Sequence, residues 1–433
     1  MRLKLRNAFT NASPATDRMK APKKVWQFFS FLSLIITLAL SSACIHSGYV
    51  YKARSLKGSI EDGNYDKALK WYEAQKPAER DKLLYLLDRG TILHIAGRYQ
   101  ESIKVFADAI DLSERLTAAH APSKTASLLT NDQLIPYDGE KFEKLIMHTY
   151  QVMNYLGLGQ PTEALVEVRR IHTKFDEYFK KDAKSYLQNA FAAYLAGTVW
   201  EKNKKYNDAF IDYKAAASFT TPWTALEKDL FRTARRSGLL SQYQALKKQG
   251  IVKSDSFDEV SNNNGELILL VGEGWAPEKY STEEHQELQV VPVPRYPDLK
   301  ILPSHFSLYE KDTNLAETEI TYSVDSAARA TLSDNMPGII TRAIARLAVK
   351  EGTAVAVGKE VDETLGIFLG FLFLATNEAD TRSWLTLPRS FQVIRVSLPE
   401  GAHTLTLRGS RSRRDFTVDI KKNEMSFVSL RVF

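Results

Sequence analysis

The chain has 433 residues, 44% of them hydrophobic and 25% charged, an ordinary balance for a soluble globular protein with room for two or three domains. Its one cysteine, Cys44, excludes an internal disulfide and any cysteine-based zinc cluster. The formal charge of +6 does not point to nucleic acid, because residues 1–43 carry seven of the 58 basic side chains against Asp17 alone, which leaves 44–433 neutral.

A basic stretch precedes the apolar run VWQFFSFLSLIITLAL (25–40), and Ser41, Ser42, Ala43 and Cys44 follow it. Basic, apolar, small is the layout of a secretory signal peptide. The first 18 residues make a long preface, and Met19 competes with Met1 as the start. The segment resembles the bacterial lipoprotein signal, which implies cleavage after Ala43 and acylation of Cys44. Ser41 departs from that pattern, which usually has Leu there. Ser41 and Ala43 also suit ordinary signal peptidase, and an apolar run of about 18 residues can stay in the bilayer as an anchor. Only the lipoprotein reading explains why the lone cysteine stands here. It assigns 1–43 to the signal and 44–54 to a lipid-anchored tether. Ile45, rather than Asp, after the cysteine favours the outer membrane.

Residues 55–251 carry helical periodicity throughout. In 83–116, Gly90, Leu93, Gly97, Tyr99, Ser102, Phe106 and Ala109 fall where a tetratricopeptide repeat wants small, large, turn, aromatic, small, aromatic and small residues. The pattern returns with Gly63, Tyr65, Ala68 and Trp71, with Leu158, Gly159, Ala164 and Leu165, and with Ala196, Gly197, Tyr206, Ala209, Tyr213 and Ala216. Small positions let paired helices approach, and the aromatics fill the space between repeats. The polar connection 120–140 interrupts the array and is long for a compact domain.

Residues 252–265 (VKSDSFDEVSNNNG) read as a linker, and the periodicity then changes. ELILLVG, ELQVVPV and AETEITYSV read as strands, and 326–352 as helices with Pro337 at a first turn or kink. FQVIRVSL, HTLTLRG, DFTVDIK and MSFVSLRVF alternate with turns. The expected fold is mainly α, with a tetratricopeptide-like helical array followed at 266–433 by an α+β domain that ends in an antiparallel sheet.

Sequence signals for chemistry are sparse. The eight histidines form no HExxH pair, and there is no GxSxG elbow or GxxxxGK loop. No metal or cofactor is called for. Glu378, Asp380, Arg382 and Trp384 crowd one short loop, a candidate functional site that its own Asp–Arg pairing and a buried tryptophan would equally explain. Arg408, Arg411, Arg413 and Arg414 gather at a turn, where a solvated hairpin competes with an anion contact such as a lipid phosphate. The apolar run 365–375 is too short to span a bilayer, so a buried helix competes with docking to lipid or a partner.

Several stretches together, LLTNDQLIPYDGEKFEKLIMHTYQVMNYLGLG, NAFAAYLAGTVWEKNKKYNDAFIDYKAA, GELILLVGEGWAPEK and NEADTRSWLTLPRSFQVIRVSLPEGAHTL among them, resemble a family of bacterial lipoproteins that joins a tetratricopeptide array to a conserved C-terminal domain. The resemblance implies an envelope location, with no established activity or catalytic residues, and an association with peptidoglycan or envelope biogenesis. The expected function is a non-enzymatic, periplasm-facing protein adaptor that meets its partner through the helical repeats, binds the membrane through Cys44 and binds no nucleic acid. The alternatives are an envelope-polymer hydrolase or transferase with its site at 378–384, and a lipid-binding protein.

Overall fold

The computed structural model describes residues 51, 53–120, 135–181, 184–253, 264–286, 289–298, 301–360, 366, 379–410 and 412–433. Cys44, the signal segment, Glu378 and Arg411 lie outside these residues, as do most of the 120–140 connection, residues 254–263 of the linker and all of 365–375 except Gly366.

Ten helices lead the described chain: α1 (Lys57–Glu61), α2 (Tyr65–Ala74), α3 (Lys82–Ile95), α4 (Tyr99–His120), α5 (Lys141–Gly157), α6 (Pro161–Lys181), α7 (Ala190–Lys202), α8 (Tyr206–Phe219), α9 (Thr224–Ser237) and α10 (Leu240–Lys248). Consecutive helices from α3 onward pack as hairpins. Gly97 and Gly159 turn the chain between partners at φ 74° and 69°, a backbone region closed to most side chains. Asn64 and Asn189 cap α2 and α7 by accepting from Lys67 N and Ala192 N. The repeat positions meet as their sizes require. A methyl group built on Gly90 would lie 3.0 Å from the Phe106 ring, and one on Gly197 only 2.5 Å from Tyr213. The chain is thus a tetratricopeptide-like helical array, followed by an α+β part.

That second part contains β1 (Asn264–Glu273), β2 (Tyr280–Gln286), β3 (Gln289–Arg295), β4 (Ser307–Glu310), β5 (Thr313–Glu317), β6 (Glu319–Ser323), α11 (Val324–Glu360), β7 (Ser390–Pro399), β8 (Gly401–Arg408), β9 (Arg413–Ile420) and β10 (Met425–Val432). Pro337 lies inside α11, which continues past it as one helix. The last four strands divide between two sheets. β8 and β9 join β4 and β5 in an antiparallel sheet ordered β5-β4-β8-β9. β7 and β10 flank β1 in a sheet ordered β10-β1-β7-β6, where β10 runs parallel to β1 and β7 antiparallel.

The central strand is buried on both faces. Leu267, Leu269 and Val271 pack on the antiparallel sheet with Leu308, Leu405 and Leu407. Ile268 and Leu270 point the other way, into the core of the array. The same alternation sends Phe391 and Val393 of β7 toward the helices and Ile394 and Leu398 toward the second sheet. The layers are therefore helices, mixed sheet and antiparallel sheet. The β2–β3 hairpin packs separately on α11 through Val291, Val293, Ala343 and Leu347.

The inner face of the array is covered by this sheet. Helices α3 and α5 meet β10, α7 meets β6, and α9 reaches β7 through Asp229. Helices α5 and α7 are buried around nearly their whole circumference, whereas α4, α6 and α8 keep a solvent face. The concave face that a repeat array can offer to an extended partner is filled here by the chain itself. The reason is legible in β1 and β7, which are apolar on both sides and must bury both. No helix among the described residues is long and apolar enough to cross a membrane.

Candidate functional site

The loop at 379–386 is where the two parts interlock. The Asp380 carboxylate accepts from Arg382 three times, from its N–H at 3.0 Å, from Nε at 2.9 Å and from Nη2 at 2.7 Å. Burial pushes the Asp380 carboxyl up, but these bonds and the guanidinium charge more than reverse it and hold it below the usual carboxylate range. Arg382 also donates to the Arg80 carbonyl at 3.1 Å, and its guanidinium lies 5.6 Å from the Tyr137 ring centroid. Trp384 is buried against Phe106 and Tyr150, and its indole N–H donates to Thr91 and Thr386. Thr386 in turn donates twice to Asp88 of α3. Of the residues singled out in this loop, Asp380, Arg382 and Trp384 therefore converge on α3, α5 and the segment before α5.

Beneath them lies Glu143, in the first turn of α5. One of its oxygens accepts from Tyr137 OH at 2.5 Å and from Glu140 N at 2.9 Å, and the other accepts from Trp384 N at 3.2 Å. Burial, then the Glu140 carboxylate, push its carboxyl up to about 7. Nearby, Lys279 is 7% exposed and donates to Glu140 at 3.2 Å. Burial pulls its ammonium pKa down, but the surrounding carboxylates and Tyr296 outweigh that and hold it above the usual lysine value.

This polar floor opens into a cleft of about 470 Å³. One wall is residues 135–140, the end of the connection that interrupts the array. A second is Ala379, Asp380 and Arg382. Pro292 and Pro294 of β3 and the face of α11 carrying Leu332, Ile339, Arg342 and Arg346 complete it. Its volume is that of a small-molecule site. The sequence pointed to two walls separately, the interrupting connection and the Asp–Arg loop. It gave no sign that Lys279 and α11 close them into one cleft.

The arginines at the other candidate site take separate partners. Arg408 lies 4.4 Å from the Tyr309 ring centroid and donates to the Lys311 carbonyl. Arg413 pairs with Asp415 at 3.1 Å, and Arg414 donates to Tyr65 OH at 3.3 Å. Arg408 and Arg413 stand opposite each other in the β8–β9 register, with Arg414 one place further, on the other face of the strand.

A second buried polar cluster went unseen in the sequence. Arg395 of β7 bridges Glu201 of α7 at 3.0 Å, Asp229 of α9 at 3.2 Å and Glu266 of β1 at 2.6 Å. Arg232 adds bonds to Glu201 and Asp229, both at 2.6 Å, and Tyr213 and Tyr194 donate to the same two carboxylates. Burial pushes the Glu201 carboxyl up, yet Arg395 and Arg232 together hold it well below the usual range. The available sign was Arg395 itself, a charge at an inward position of an apolar strand. Among the described residues no three His, Cys, Asp or Glu side chains gather as a metal site.

No protein-family model matches the chain, and comparison with curated proteins finds no match. Among solved structures, MamA 41-end from Desulfovibrio magneticus RS-1 is similar over 47% of this chain and 94% of that one, with 14% identity and a TM-score of 0.32. The MamA RS-1 ArsTM double mutant is similar over 48% of this chain and 99% of that one, with 14% identity and a TM-score of 0.31. Likeness at this level does not carry function from one protein to the other.

Proposed function

We propose that the protein is a non-enzymatic adaptor of the bacterial cell envelope, held on the periplasmic face of the outer membrane by lipid on Cys44, and that it meets a protein partner on the outer helices of its array. One observation carries this reading. The inner face is occupied by the chain's own sheet, so the surface the repeats still present is that of α4, α6 and α8. Val166 and Ile211, 48% and 54% exposed, each stand five residues after the first residue of α6 and α8. An array repeats such positions at regular intervals, which suits a partner that runs along it. A role in peptidoglycan or envelope assembly fits the same reading.

A hydrolase at 378–384 is disfavoured by the state of Asp380, the carboxylate of that loop among the described residues. Asp380 spends its carboxylate on three bonds from Arg382, and a carboxylate held that way is a poor proton acceptor.

The test is in-cell photocrosslinking from positions 166 and 211, with Gly338 at the cleft as the comparison site, alongside fatty-acid labelling of the native chain and of Cys44→Ala. The expected result is one envelope protein captured at both helix positions and lipid label lost in the variant. Capture from 338 alone would move the partner surface to the cleft. Label that survives in Cys44→Ala would remove the anchor.

A further inference from the structure

We infer that the cleft between the array and α11 is a binding site for an amphiphilic anion, a carboxylate or phosphate carried on a short apolar body. This stands apart from the adaptor reading, because the cleft can fill whether or not a protein docks on the outer helices.

Hydrogen-bond bookkeeping along the walls gives the sign of the ligand. Four acidic side chains line the cleft, and each already accepts from a protein donor. Asp138 is engaged by Lys144 at 3.1 Å, Asp334 by Lys184 at 2.8 Å and Tyr186 at 3.0 Å, Glu140 by Lys279, and Asp380 by Arg382. The donors are not matched in the same way. An ammonium has three N–H groups. Lys279, buried to 7% exposure on the cleft wall, has one hydrogen-bond partner among the described residues, Glu140 at 3.2 Å. A buried cation with open donors is stabilised by any acceptor that reaches it, and most by a charged one. Arg342 and Arg346, one helical turn apart on α11, line the same space.

The remaining wall gives the body of the ligand. Pro136, Pro292, Pro294, Leu332, Ile339 and Ala343 form an apolar side to a cleft otherwise lined by charge. A fully hydrated ion would leave that side wet, and a purely apolar ligand would leave the remaining Lys279 N–H groups without an acceptor. A headgroup on Lys279 with a short chain along the prolines and α11 satisfies both.

The test uses the full chain and four probes with one tail: octanoate, octyl phosphate, octanol and octylamine, followed by calorimetry. Octanoate and octyl phosphate are the two headgroup sources, and either binding in preference to octanol and octylamine is the expected result. Lys279→Gln should weaken the anion about tenfold or more, the scale of a lost charged hydrogen bond. Gly338 is exposed and helical where it lines the cleft, so Gly338→Trp should block binding with the fold intact, whether or not Lys279→Gln folds. Octanol binding as well as octanoate, no binding by either anion, or anion binding unchanged in Gly338→Trp would each overturn the inference.

Discussion

Two buried side chains work against each other across the same pH range. Burial, then the Glu140 carboxylate, raise the Glu143 carboxyl from 4.5 to about 7. Its contribution to stability is therefore complete below 4.5 and is lost as pH rises to 7. His94 is buried among Asn154, Ser429 and Tyr150, and burial, then Arg431, lower it from 6.5 to about 4. Its contribution is complete above 6.5 and is lost as pH falls toward 4. Each shift corresponds to about 3 kcal/mol, so over pH 4.5–6.5 the two slopes oppose and nearly cancel. Glu143→Gln removes one of them. Urea denaturation of that variant at a series of pH values should show stability rising with pH across this window, by up to about 3 kcal/mol relative to wild type. Curves for the two proteins that stay parallel would show that Glu143 does not titrate there.

The helical hairpin is the element whose construction the sequence states most fully. Small residues at 90 and 197 and aromatics at 106 and 213 are read from spacing alone, and each glycine lies against the aromatic ring one helix away. Tyr213 is fully buried and its hydroxyl is bonded to Glu201, so its ring has little freedom to retreat from an added methyl group. Gly197→Ala should cost about 1–3 kcal/mol, the usual toll of overpacking, visible as a lower urea midpoint with unchanged m-value. A neutral or stabilising result would mean that α7 and α8 separate easily. Strands are less legible. FQVIRVSL and MSFVSLRVF announce extended chain, but nothing local says that both flank β1 or that β10 runs parallel to it. Strand pairing over more than 100 residues depends on which faces remain to be buried, and that is decided by the array.

Within residues 49–433 the contacts join the array and the α+β part into one body. The largest core runs from Leu83 of α3 to Val393 of β7 without a break at the expected linker, and residues 49–433 form a single compact unit. Arg395 and Trp384 fasten the sheet to α7, α9, α3 and α5. Thermal unfolding followed by the array's far-ultraviolet helix signal and by the near-ultraviolet signal of the buried aromatics should therefore trace one coincident transition. Two separated transitions would mean that the array and the α+β part fold independently.

The sequence by itself determined the helical array, its repeat spacing, the change of period near residue 265 and the presence of strands. These follow from local periodicity and from the sizes of residues three to sixteen places apart. It also picked out Asp380, Arg382 and Trp384, because charge and an indole crowded into one loop need partners. Only the tertiary structure decided what those partners are, that the inner face of the array is spent on the chain's own sheet, and that Lys279, the end of the interrupting connection and α11 enclose one cleft. Those facts depend on surfaces brought together from distant parts of the chain, and a burial that satisfies two apolar faces at once leaves no mark in either segment alone.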